Sequence, residues 1–308
     1  VAQSTLKKVG ANKMVEEQTS LVEAGNHGTL QQYDFGEDAG AGQEQMRIEG
    51  MLTPFLNIIQ PTSAQLKPGK SEYIPDAKMG MFLNTATARL YNGDEGIEVM
   101  PVWMEYLYTE WIPIDDGGGF RGTHDPDSDL IQGLLREAGA KGRYQKLEWT
   151  NAAGENVELV EQWNVACIYG APTIDEGTMR RGLLPFTSTK LGQYKAWMAQ
   201  ISDISYRRPD GKYAAPPIWA HRWKTTTTMR TNKKGDWFVY KIRLAVPGLS
   251  HLSLVPLNDA VYIEARKFRD LWRGGQVKAD YKSAESAMGA ENNAAGAGVD
   301  INEKEMPF

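Results

Sequence analysis

The chain has 308 residues, 41% of them hydrophobic, and carries 34 Lys and Arg against 39 Asp and Glu for a formal net charge of −5, an ordinary balance for a chain with a buried core. No apolar run approaches the ~20 residues of a membrane span, and the opening Val-Ala-Gln-Ser-Thr-Leu-Lys-Lys lacks a signal peptide's apolar region, so a cytoplasmic protein with no membrane partner is expected. A lone cysteine, Cys167, excludes an internal disulfide and a thiolate zinc cluster within one chain.

Residues 1–50 are polar, acidic and Gly-containing, with too little apolar surface to offset ordering entropy, so this N-terminal arm is expected to be mostly disordered. A domain is expected from 51 to 278. It opens on the apolar run Met51-Leu-Thr-Pro-Phe-Leu-Asn-Ile-Ile-Gln60, after which Pro61, Pro68 and Pro75 favour loops and short strands. Ala64 to Ser71 fits a relaxed phosphate-loop spacing. However, Ala64 replaces the first glycine and Pro75 forbids a long helix, so nucleotide hydrolysis is not expected.

Ile97 to Ile112 is the longest strand-like run, interrupted by Pro101, with Trp103, Tyr106, Tyr108 and Trp111 spread over both faces. The stretch Asp115 to Asp129 reads as a glycine-rich surface loop carrying Phe120 and Arg121. Its acids Asp125, Asp127 and Asp129 imitate a calcium loop, but Leu130 and Arg136 stand where Gly and a bidentate Glu are required. Ser128 or Asp127 caps a short helix with Leu130, Ile131, Leu134, Leu135 and Ala138 as its stripe, ended at Gly139. Tyr144 to Trp149 and Val157 to Ile168 then alternate as strands, with Leu159, Trp163, Val165 and Cys167 on one face and Cys167 a small core residue.

Beyond Pro172 the charge turns positive. Thr187 to Ile201 reads as a helix with Leu191, Tyr194, Met198 and Ile201 inward, so that Lys190 and Lys195 are expected to face the groove. Tyr206-Arg-Arg-Pro-Asp-Gly211 is a turn bearing Arg207 and Arg208. Ile218 to Leu244 reads as a hairpin whose first strand carries Trp219, Arg222, Trp223, Lys224 and Arg230 and whose connection carries Lys233 and Lys234. On its second strand Phe238, Tyr240, Ile242 and Leu244 share one face, while Trp237, Lys241 and Arg243 share the other. From Arg180 to Arg243 fourteen basic residues face only three acids, Asp203, Asp210 and Asp236, in a chain that is acidic overall. Flat rings beside cations suit an unpaired nucleic-acid strand, whose bases stack and whose phosphates pair. Asn258 to Trp272 is a further helix, with Val261, Ala265, Phe268 and Trp272 in register. Residues 279–308 form a flexible acidic tail ending Asp300-Ile-Asn-Glu-Lys-Glu-Met-Pro-Phe308. The elements describe a mainly β protein with a few helices, of α+β class.

The tip Asn302 to Phe308 resembles the acidic tail of bacterial single-stranded DNA-binding proteins, with Met306 where Ile is usual. The body is similar to phage proteins of replication and recombination, through Pro54-Phe-Leu-Asn-Ile-Ile-Gln60, Glu72-Tyr-Ile-Pro-Asp-Ala-Lys78, Gly117-Gly-Gly119 and Trp237-Phe238. A phage-encoded single-stranded DNA-binding protein is what the chain resembles. The resemblance implies an OB-like antiparallel barrel with insertions, disordered termini, and non-specific coating of single-stranded DNA in the host cytoplasm. It also implies recruitment of replication and recombination proteins through Asp300, Glu303, Glu305, Met306, Pro307 and Phe308. By charge, the tail could compete for the basic groove. No catalytic residue, cofactor or metal is expected, and homo-oligomerisation is left open. The alternative is a virion structural or scaffold protein whose aromatic strands and tails serve assembly. A nuclease using Asp115, Asp116 and Asp125 would lack any paired catalytic motif.

Overall fold

The computed structural model describes residues 52–113, 116, 118–139, 147–233 and 235–284. Contacts divide the chain into Val1–Arg47 and Ile48–Phe308, and every described residue belongs to the second unit. The expected N-terminal arm and the tip residues Asp300 to Phe308 lie outside the described residues.

Short strands β1 (Leu52–Thr53), β2 (Leu56–Ile58), β3 (Phe82–Asn84) and β4 (Leu90–Tyr91) open the domain, with β2, β3 and β4 pairing antiparallel in that order. Between β2 and β3 the proline-rich stretch holds one 3-10 turn, Ala64–Leu66, and no helix follows Ser71. Strand β5 (Ile97–Trp111) then runs fifteen residues. Pro101 has no N–H to give a ladder, and it sits where the register shifts between Pro101 and Trp103. After β6 (Phe120–His124), helix α1 (Asp129–Ala138) starts where the Ser128 hydroxyl accepts the Ile131 N–H at 3.4 Å, and it stops at Gly139.

Strands β7 (Leu147–Thr150), β8 (Asn156–Gly170) and β9 (Arg180–Thr187) follow. The helix expected from Thr187 starts later. Thr187 pairs with Gln162 as the last residue of β9, Ser188 takes φ +44° in a 3-10 turn, and α2 spans Leu191–Asp203. A two-strand finger, β10 (Tyr206–Arg207) with β11 (Tyr213–Ala214), leads to the hairpin β12 (Trp223–Asn232) and β13 (Gly235–Leu244). Helix α3 (Ala260–Arg273), capped by Asp259, and β14 (Lys278–Ala279), parallel to β1, follow.

Strands β5 and β8 form a long antiparallel ribbon at the centre of the seven-stranded sheet. At one end β12 and β13 extend the sheet from β5 while β9 pairs with β8; at the other end β6 joins β5 and β7 joins β8. Period-two alternation gives this sheet two faces. Val165, Cys167 and Tyr169 pack with Tyr194 and Trp197 of α2, whereas Ala166 and Ile168 pack with Val261, Ala265, Phe268 and Trp272 of α3. A third cluster puts Ile131 of α1 against Tyr108, Leu147 and Leu159. The fold is therefore mainly β and antiparallel, with helices covering both faces. None of these sheets closes into a barrel among the described residues, so the expected OB-like closure is not what buries the core. No helix among the described residues is long and apolar enough to cross a membrane.

Candidate nucleic-acid interface

Only Trp223 to Thr225 of β12 pair with β5, so the rest of the hairpin runs past the ribbon. Directly opposed residues of an antiparallel pair share a face. The register opposes Lys224 to Arg243, Thr226 to Lys241, Thr228 to Val239 and Arg230 to Trp237, gathering four cations and an indole on one side. Asn232 opposes Gly235, which leaves Lys233 and Lys234 as the connecting residues, with Lys234 outside the described residues.

The other face is held down. The Gln60 amide accepts the Phe238 N–H at 2.9 Å and donates to the Phe238 carbonyl at 3.0 Å, and the Tyr240 hydroxyl donates to the Leu56 carbonyl at 3.0 Å. Thr227 donates its hydroxyl to the Gly80 carbonyl at 2.7 Å and its N–H to the Gly93 carbonyl at 3.0 Å. That approach requires glycine, because a Cβ on Gly93 would lie 2.0 Å from the Gly80 oxygen. The inner face is thus fixed, and the opposite face presents its cations outward on either side of Val239, which is itself 1% exposed. Arg230, Lys241 and Arg243 are exposed, Trp237 is half-buried, and no ion pair joins those three cations to a described residue. Lys224, at the inner end, differs. Its ammonium donates to the Pro172 carbonyl at 2.9 Å, and burial is the first cause holding its pKa below the ordinary lysine value.

Several residues expected at the interface are elsewhere. Trp223 is 1% exposed and packs edge-on to Trp197 at 6.0 Å, because its position on β12 points toward α2. Trp219 lies on a 3-10 turn, not a strand, under the Arg269 guanidinium at 5.5 Å. Arg222 donates to the Ile174 carbonyl at 2.8 Å between Glu98 and Asp259, a structural tie instead of a free cation. Lys190 is buried with its ammonium 5.2 Å from the Tyr240 ring, on the pinned side of the hairpin. Lys195 is exposed on α2, which packs on that same side, and it acts on Glu161.

Arg207 and Arg208 sit on the finger. Its opposed pairs are Tyr206 with Ala214 and Arg207 with Tyr213, and the Arg208 N–H donates to the Lys212 carbonyl. Tyr213 is 74% exposed and Tyr206 47%, so the finger presents rings as well as cations. Those tyrosines are missing from the sequence expectation. The Pro209-Asp210-Gly211 turn between them was the available sign of a hairpin. Among the described residues no cluster of His, Cys, Asp and Glu could hold a metal ion.

Fold and site together define a mainly antiparallel protein with a basic, indole-bearing hairpin and, preceding it in the chain, a tyrosine-bearing finger. The chain belongs to the Pam3 phage gp34-like protein family, whose model matches residues 23–278, and this supports a phage origin. No curated protein and no solved structure matches the chain.

Proposed function

We propose that the protein binds single-stranded DNA without sequence preference during phage replication or recombination, and that it does so non-catalytically. The observation that carries this reading is the outer face of β12 and β13, where Arg230 lies opposite Trp237 and Lys241 and Arg243 follow on the same face. Cations at strand spacing meet successive phosphates while an indole offers a stacking plane, and neither contact reads a base identity. Contacts of this kind need no closed barrel. An open edge hairpin offers the same alternation of rings and charges as an OB-fold face.

Tryptophan fluorescence titration with single-stranded and duplex oligonucleotides, at two salt concentrations, tests the reading. Quenching by the single strand, weak response to duplex, and loss of about 1–3 kcal/mol in Trp237→Ala are expected. Equal affinity of the wild type and a Lys241→Ala/Arg243→Ala variant at low salt would remove the hairpin from the interface. No binding of any oligonucleotide would end the proposal.

A further inference from the structure

Where β1, the start of β9, α3 and the residues entering β14 meet, the packing leaves a cavity of about 450 Å³. Leu52, Ile168, Met179, Phe268 and Val277 give it apolar walls. Close-packed interiors hold few voids larger than a water molecule, whereas a concave space of this size, mostly apolar with a few placed polar groups, is the form of a small-molecule site.

Two of its polar groups lack partners. The Arg181 guanidinium lies 5.3 Å from the centre of the Phe268 ring and donates to one carboxylate oxygen of Glu264, so that pair neutralises itself. Arg180, also in the lining, differs. Its Nη1 donates to the Gly177 carbonyl at 3.2 Å and to the Met179 carbonyl at 2.8 Å, which orients the guanidinium, while Nε and Nη2 have no hydrogen-bond or ion-pair partner among the described residues. Those two groups form the edge of the fork that a carboxylate meets with both oxygens. Deeper in, Thr53 lines the cavity at 4% exposure, and its hydroxyl has no partner among the described residues either. A buried hydroxyl left unbonded is costly, and a ligand oxygen would satisfy it. Glu176 shares the lining but is exposed, where solvent screens its repulsion of an anion.

We infer that this cavity binds a small molecule with an apolar body and a terminal carboxylate. The walls accommodate a hydrocarbon chain or ring and carry too few polar groups to satisfy a sugar, which disfavours a nucleotide. One oriented guanidinium edge selects a single planar anion. No residue of the β12–β13 hairpin lines the cavity, so the inference does not depend on nucleic-acid binding.

Titration of the full chain with octanoate, followed by the 13C-methyl resonances of its methionines, is the test. Met179 lines the cavity, whereas Met79 and Met229 are 55% and 56% exposed and lie outside it. The Met179 resonance, assigned through Met179→Leu, should shift along a saturable curve with a dissociation constant in the millimolar range, as suits a ligand of about ten non-hydrogen atoms, while Met79 and Met229 stay in place. The uncharged 1-octanol should bind wild type about tenfold more weakly than octanoate does, and Arg180→Gln should weaken octanoate by a similar factor, the worth of one charge-assisted contact. Because Arg180 is exposed, the variant should still fold, and 1-octanol should bind it as it binds wild type. No shift at Met179, equal shifts at Met79 and Met229, equal affinity for acid and alcohol, or unchanged octanoate affinity in Arg180→Gln would each overturn the inference.

Discussion

Glu105 occupies an uncomfortable position on β5, opposite Asn164 of β8, whose amide donates to its carboxylate at 3.3 Å and to the Tyr281 hydroxyl at 2.8 Å. Burial is the larger cause and lifts its pKa above the ordinary 4.5, with the Asn164 bond acting against it. Glu161 on the opposite face of the same ribbon is also raised by burial, opposed by Lys195 and by the Tyr106 hydroxyl. The native state therefore binds these protons more tightly than the unfolded chain does. The resulting stability is fully present below pH 4.5 and is lost as pH rises through the raised values. Glu105→Gln/Glu161→Gln should keep the hydrogen bonds while removing the buried charge. Urea midpoints measured from pH 4.5 to 7.5 should fall less in this variant than in the wild type. Parallel profiles would show that neither carboxylate drives the loss.

At the scale of elements, the finger and the hairpin divide the work differently. An isolated two-stranded hairpin is marginal in water, and the finger's two exposed tyrosines belong to no described core cluster, so the proposed function gives them a stacking role. Tyr213→Ala should leave the thermal midpoint within about 1 °C of wild type and weaken single-strand affinity by about 1–3 kcal/mol, the worth of one stacked base. Unchanged affinity would place the strand on the hairpin alone. How legible these elements are in the sequence follows from the physics of each. The α3 stripe Val261, Ala265, Phe268 and Trp272 is readable because helical spacing puts all four on one buried side, and all four are buried. The two faces of β13 are readable for the same reason at period two. Trp223 is not, because its burial depends on α2 arriving from elsewhere in the chain, a contact that local alternation does not encode. Arg222 and Lys190 fail similarly: a cation's partners, here Glu98, Asp259 and the Tyr240 ring, are tertiary. The missing barrel has a topological cause. The resemblance carried its fold from a family, whereas the pairing of β6 and β12 along the same edge of β5 arises only from the length of that strand.

For the molecule as a whole, the proposed binding would take both its strength and its sensitivity to salt from charge. The net charge is −5, so affinity for a polyanion must come from local cations acting against a mildly repulsive background. Arg230, Lys233, Lys241 and Arg243 are exposed on the hairpin, whereas Lys224 already donates to a carbonyl and adds little. Each neutralised phosphate of a single strand releases counterions and contributes about −0.7 to the slope of log affinity against log salt, so four contacts give a slope of about −3. If Arg207, Arg208 and Lys212 of the finger engage as well, seven contacts steepen it to about −5. Titrations from 50 to 300 mM salt separate the two cases. Lys241→Ala/Arg243→Ala should flatten either slope by about 1.4, because two phosphate contacts are lost while base stacking, which releases no ions, is retained. A slope near zero in the wild type would mean that these cations meet no phosphates. The basic character of the hairpin would then need a different explanation, such as pairing with an acidic segment of the same chain or of another protein.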